Sequence, residues 1–172
     1  MDEQQTENDV KMPIVRAAMT FGLFMGIYWA VKYLFFMFSY KIPLLNSIYI
    51  GMTVIVPFIA YRMTDGFRVS VGGKLRFSQG WMFGVLLYFF AGLIVSLMHY
   101  IYYAYVAPPG LLADSFNQVI AMFEQANVDP ETLEPLKNQT LKPINMTIQG
   151  LLNNVFYGVI LSLPVAWLIS RK

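Results

Sequence analysis

Four long apolar runs, separated by shorter polar stretches, set the pattern of this chain. The first reads PIVRAAMTFGLFMGIYWAVKYLFFMF from Pro13 to Phe38, and its only charged residues are Arg16 and Lys32. A helix of about 26 residues rises roughly 39 Å, enough to cross a hydrocarbon core of about 30 Å with some tilt. Comparable runs follow at about 43–63, 79–106 and 145–169. Each predicts a membrane-spanning helix. Pro57 and Pro164 fall inside the second and fourth runs, where a proline removes a backbone hydrogen bond and bends the helix.

Three of the runs carry small residues at every fourth position. The first has Ala18, Gly22, Gly26 and Ala30. The third has Gly80, Gly84, Gly92 and Ser96, interrupted by Tyr88, and the fourth has Gly150, Asn154, Gly158, Ser162 and Ala166. Such ridges let helix backbones approach closely within a membrane. Ala18, Gly22, Gly26, Gly80, Gly84, Gly150 and Gly158 are therefore the expected packing residues of one four-helix bundle. On this reading Gly22 or Gly26 tolerates alanine far better than leucine.

Between the second and third runs, 64–78 is short and basic. Val69 and Val71 before Gly72-Gly73, and Leu75 and Phe77 after it, alternate with polar residues, which predicts a hairpin-like loop. Ser78 is the expected N-cap of the next helix. The segment 107–144 is the longest stretch outside the spans. Within it Leu112, Phe116, Val119, Ile120 and Phe123 mark one face of an amphipathic helix. Asp129 is placed to cap a second short helix. Asp114, Glu124, Asp129, Glu131 and Glu134 outnumber Lys137 and Lys142 here, so the helix lacks the basic face that suits anionic lipid. It is expected to pack over the bundle mouth or against a partner.

Charge placement orients the whole. Lys11, Arg16, Arg62, Arg68, Lys74, Arg76, Arg171 and Lys172 fall on one side, and Lys41, Lys137 and Lys142 on the other. The positive-inside rule puts both termini in the cytoplasm and 107–144 outside. The fold class expected is all-α: a four-helix transmembrane bundle with an extracytoplasmic amphipathic helix and a short cytoplasmic loop, in one integral membrane domain.

Composition narrows the chemistry. Only 13% of the 172 residues are charged, about half the usual share for a soluble domain. The net charge of +2 points to no nucleic-acid partner. There is no Cys and a single His, which excludes disulfides and thiolate chemistry and leaves no His-rich metal site. The acidic start MDEQQTENDVKM is unlike a signal peptide. Phosphate-binding glycine loops and the HExxH and GxSxG signatures are missing, so no catalytic residue, metal or cofactor is expected.

Four spans at this length, a Gly-Gly turn leading into Lys74-Leu75-Arg76-Phe77-Ser78-Gln79-Gly80, and an acidic, proline-started segment before the last span form a familiar set. The chain resembles the family known as domain of unknown function 4199. That resemblance implies a bacterial inner membrane and carries no activity, cofactor or site residue with it.

One set of polar residues remains within the spans. Lys32, His99, Asn153 and Asn154 lie at similar depth, roughly 9–13 Å below the outer surface by helical rise. They are the candidates for a polar cavity opening outward. The function expected is that of a non-enzymatic scaffold or accessory subunit, partnered by the lipid bilayer and by another membrane protein or a second copy of the chain. The alternative is a small oligomeric transporter or ligand-binding membrane protein using that cavity.

Overall fold

A computed structural model describes residues 3–39, 41–108, 110–137 and 142–172, without the side chains of residues 3–12 and Ser115. It contains α1 (Glu3–Phe38), α2 (Leu44–Ser70), α3 (Phe77–Ile101), a π-helical turn (Tyr102–Val106), α4 (Leu111–Gln125), α5 (Pro130–Lys137) and α6 (Pro143–Ser170). No strand occurs among the described residues. Four segments are long and apolar enough to cross a membrane: Pro13–Phe38, Leu44–Ser70, Phe77–Val106 and Pro143–Ser170.

α3 is the central helix and packs most extensively on α6 and α1. Its residues Phe83, Leu87 and Ala91 are fully buried. Phe83 stacks on Phe67 of α2 at 4.5 Å between ring centroids and meets Phe21 of α1 edge-on at 5.9 Å. α2 lies more loosely against the bundle, and its buried residues Val56, Ala60, Thr64 and Phe67 follow one helical face.

The small-residue ridges of α3 and α6 face each other in antiparallel register. Gly80 lies against Ala166, Gly84 against Ser162, Tyr88 against Gly158, and Gly92 against Asn154. Each step of four residues up α3 matches four down α6, so the ring of Tyr88 fills the gap left by Gly158. α1 uses its ridge differently. Gly22 and Gly26 receive Phe90 and Ile94 from another face of α3.

Alanine, expected to be far better tolerated than leucine at these glycines, is itself crowded there. A Cβ on Gly22 would stand 2.6 Å from the Phe90 Cβ, and one on Gly26 would stand 2.9 Å from the Ile94 Cβ. Both neighbours are the root atoms of their side chains, so the helices themselves would have to move. Gly80 is looser, at 3.4 Å from Leu75 and 3.5 Å from Ala166.

The 64–78 loop also departs from the alternation read in the sequence. α2 continues to Ser70 because Val56, Ala60, Thr64 and Phe67 extend its buried face. Gly72 and Gly73, at φ +96° and +85°, then stop it with the left-handed geometry that favours glycine. Arg68 secures this end: its Nε reaches Asp65 at 2.9 Å, and its Nη1 donates to the Gly73 carbonyl at 2.7 Å. An isolated pair of strands has no sheet to join here, whereas the helix satisfies its own backbone.

α3 starts at Phe77, one residue ahead of the expected cap Ser78. The Arg76 N–H instead donates to Gln79 Oε1 at 3.1 Å. At the same end Lys172 reaches Asp65 at 3.4 Å, joining the last residue to α2. The Tyr61 hydroxyl, followed by Asp65, holds the Lys172 ammonium pKa above its ordinary value.

Both prolines inside the later spans have an aromatic donor nearby. The Tyr28 hydroxyl donates to the Met52 carbonyl at 2.8 Å, five residues before Pro57. The Trp81 indole N–H donates to the Val159 carbonyl at 3.0 Å, five residues before Pro164. Proline opens the helix just before itself, which leaves carbonyls there accessible to a neighbour. Tyr28→Phe and Trp81→Phe should each cost about 0.6 kcal/mol, and at most roughly 1.7 kcal/mol, the scale of interhelical hydrogen bonds in membranes. Reversible unfolding in mixed micelles measures this, and unchanged stability in both variants refutes the pinning role.

Outside the spans, α4 packs on α5. Leu133 is buried beneath it, and Lys137 pairs with Glu124 at 2.8 Å. Asp129 caps the short α5, accepting from the Glu131 N–H at 3.1 Å.

Candidate functional site

A single turn of α1 brings Trp29, Lys32 and Tyr33 to one face, at spacings of three and four residues. Tyr49 approaches from the first turns of α2. Val95 and His99 come from the end of α3, and Asn154 from α6. These seven residues line a cavity of about 80 Å³ between the helices. Every spanning helix contributes to it, and all contributions lie towards the end of the bundle where α4 and α5 sit.

The four polar residues expected here divide three to one. Lys32, His99 and Asn154 share the cavity wall. Asn153 is exposed and is not part of it. The reason is rotational: consecutive residues on a helix point about 100° apart, and Asn154 shares the Gly150–Gly158 face packed on α3. Nor does α4 supply a lining residue, so the cap expected from 111–125 does not form part of this wall.

The lining is rich in aromatic rings. Lys32 Nζ stands 5.7 Å from the centre of the Trp29 ring and 5.1 Å from that of Tyr49. Ring faces attract an ammonium, and the effect grows where water is excluded. The His99 ring meets Tyr33 at 4.3 Å with the planes at 64°. On its other side it occupies the space left by Gly150, where a Cβ would stand 2.8 Å from His99 Nδ1. Gly150 is thus a site residue as well as a packing residue: its missing side chain makes room for the histidine.

Just beyond His99 the helix widens into the π turn, with the Ala107 N–H bonded to the Tyr102 carbonyl at 2.8 Å. Tyr102, the first residue of this turn, is buried and stands edge-on to Tyr33 at 5.9 Å. Single π turns often mark functional positions. No periodicity in the sequence signals this turn. Trp29 and Tyr33 could have been found from their spacing to Lys32, whereas Tyr49 has no such signal.

The lining combines strong donors with neutral groups that can donate or accept, the Tyr33 and Tyr49 hydroxyls and His99. Lys32 offers an ammonium, Asn154 an amide, and Trp29 an indole N–H that is buried with no hydrogen-bond partner among the described residues. No carboxylate lines the cavity. Among the described residues no group of three or more His, Cys, Asp or Glu is placed to hold a metal ion.

Fold and site together define a four-span helical membrane protein with a small polar cavity between its spans. The chain belongs to the family described as Protein of unknown function (DUF4199), whose model matches residues 20–171. No match to a curated protein or to a solved structure was found.

Proposed function

We propose that the protein is a non-enzymatic accessory subunit of a bacterial inner membrane, built around a small ligand-holding cavity that opens outward. The observation carrying this reading is convergence: residues from all four spans line one 80 Å³ space and bring an ammonium into it. A lysine at membrane depth is costly, and inward-facing ionisable groups in membranes are by default functional. The distribution of Lys and Arg supports cytoplasmic termini, which puts the cavity end outside.

Size argues against carriage of a metabolite. Small-molecule sites usually measure about 300–1,000 Å³, several times this cavity. The space suits an ion or a few waters held in place. For the accessory role, α4 offers Val119, Met122 and Phe123, all exposed, on one face. The surrounding acids disfavour an anionic lipid surface and suit a membrane-protein partner with basic and apolar residues.

Because the chain has no Cys, single cysteines test this cleanly. In intact cells, Lys74→Cys should be shielded from a small impermeant thiol reagent, while Asn117→Cys should label. Asn154→Cys should also label from outside, more slowly. Labelling at Lys74→Cys with protection at Asn117→Cys would invert the orientation. An Asn154→Cys that labels only from the cytoplasmic side, or not at all, removes the outward cavity.

A further inference from the structure

We infer that the cavity between the four spans binds one small monovalent anion of the halide class, held by the Lys32 ammonium, the Trp29 indole N–H and the Asn154 amide. This deepens the outward-cavity reading and rests on it.

Charge balance comes first. The stretches Pro13–Phe38, 44–64, Phe77–Val106 and Pro143–Ser170 contain no Asp or Glu. Lys32 therefore has no carboxylate at its depth, and the cavity lining offers none. Aromatic faces at 5.1 and 5.7 Å soften the field of the ammonium without neutralising it. A mobile anion neutralises it fully, and in a low-dielectric setting that attraction is strong.

The second observation is independent of charge. Trp29 is 5% exposed, lines the cavity, and leaves its N–H without a partner among the described residues. A buried donor left unpaired costs about 1–3 kcal/mol, so such a group calls for an acceptor. An indole N–H can only donate. Lys32 can only donate as well, and the Asn154 amide can turn its NH₂ inward. The Tyr33 and Tyr49 hydroxyls, His99 and the Asn154 oxygen can accept as well as donate, but the only charge in the lining is an ammonium and no carboxylate balances it, so the set favours an anion over a cation.

Volume selects the class. The 80 Å³ space holds two or three water-sized bodies, each about 30 Å³. A halide with one or two waters fits. Gluconate, with its six-carbon chain, does not. A single ammonium balances one charge, which disfavours phosphate and sulfate.

The test uses the full chain in detergent micelles at constant ionic strength, with gluconate replaced stepwise by chloride or bromide. The midpoint of thermal unfolding should rise by a few degrees and saturate, as expected for a ligand bound only by the folded state. Lys32→Gln should lose that rise, and Lys142→Gln, at the same end but outside the cavity, should keep it. A second measurement avoids reliance on the variants: the ³⁵Cl resonance of a chloride solution should broaden with wild-type protein and narrow again on adding bromide. A rise in midpoint retained by Lys32→Gln, or no broadening displaceable by bromide, overturns the anion site. If halide has no effect while Asn154→Cys still labels from outside, the anion assignment alone falls. If that labelling fails too, the outward cavity falls with it.

Discussion

Phe83→Ala is expected to destabilise the bundle by roughly 2–3 kcal/mol, with Phe24→Ala as its near-silent counterpart. Phe83 is fully buried between Phe67 and Phe21, while Phe24 is 59% exposed on the lipid-facing side of α1. In a water-soluble core, Phe→Ala costs about 3–5 kcal/mol, partly because apolar surface is withdrawn from water. A separated membrane helix stays in hydrocarbon, so that part of the cost shrinks and lost dispersion remains. Phe24 exchanges ring contacts for lipid contacts, and its loss should change stability by less than about 0.5 kcal/mol. Reversible unfolding of both variants in mixed micelles gives the comparison. Equal losses would mean that the stack of Phe67 on Phe83 does not hold α2 to α3.

Gly158→Ala should lower stability by about 1–3 kcal/mol, the range for overpacking, whereas Gly51→Ala should raise it slightly. An added Cβ at Gly158 would lie 2.5 Å from the Tyr88 Cβ and 2.9 Å from its Cγ, atoms tied closely to the α3 backbone. Tyr88 cannot swing away, because it is buried and edge-on to Trp29 at 5.5 Å. Gly51, on the open face of α2, has nothing within 4 Å of the same added atom. There the substitution shows the intrinsic helix preference of alanine, about 0.5–1 kcal/mol. The same gain applies at Gly158, so the packing cost there exceeds the net loss by about 0.5–1 kcal/mol. The same unfolding assay decides it: a Gly158→Ala protein as stable as wild type would mean that α3 and α6 are further apart than this register requires.

The two substitutions also separate what is local from what is not. Four runs almost free of charge are enough to write down four spans, since crossing hydrocarbon requires length and apolarity within one segment. Ridges of small residues are equally local, because a period of four marks one helix face. The amphipathic face of α4 and the Asp129 cap follow from the same kind of short-range pattern. Where local patterns compete, tertiary context decided. The alternation around Gly72-Gly73 is compatible with strands, but the buried face of α2 runs on to Phe67 and keeps the backbone helical.

Lys32, His99 and Asn154 were legible as a site because depth along each span can be counted from its end. Asn153 was not separable from Asn154 by depth; the small-residue ridge, which Asn154 shares with Gly150 and Gly158 and Asn153 does not, is the signal that tells the two apart. By itself the sequence determined the number of spans, their small-residue faces and the level at which polar groups meet. Only the tertiary structure decided which ridge meets which, that Tyr88 fills the gap at Gly158, that alanine is already too large at Gly26, and that Tyr49 walls the cavity. The physical reason is that hydropathy and helical period act within one segment. Register and cavity shape arise from side chains interlocking between helices far apart in the chain, with outcomes set by fractions of an ångström.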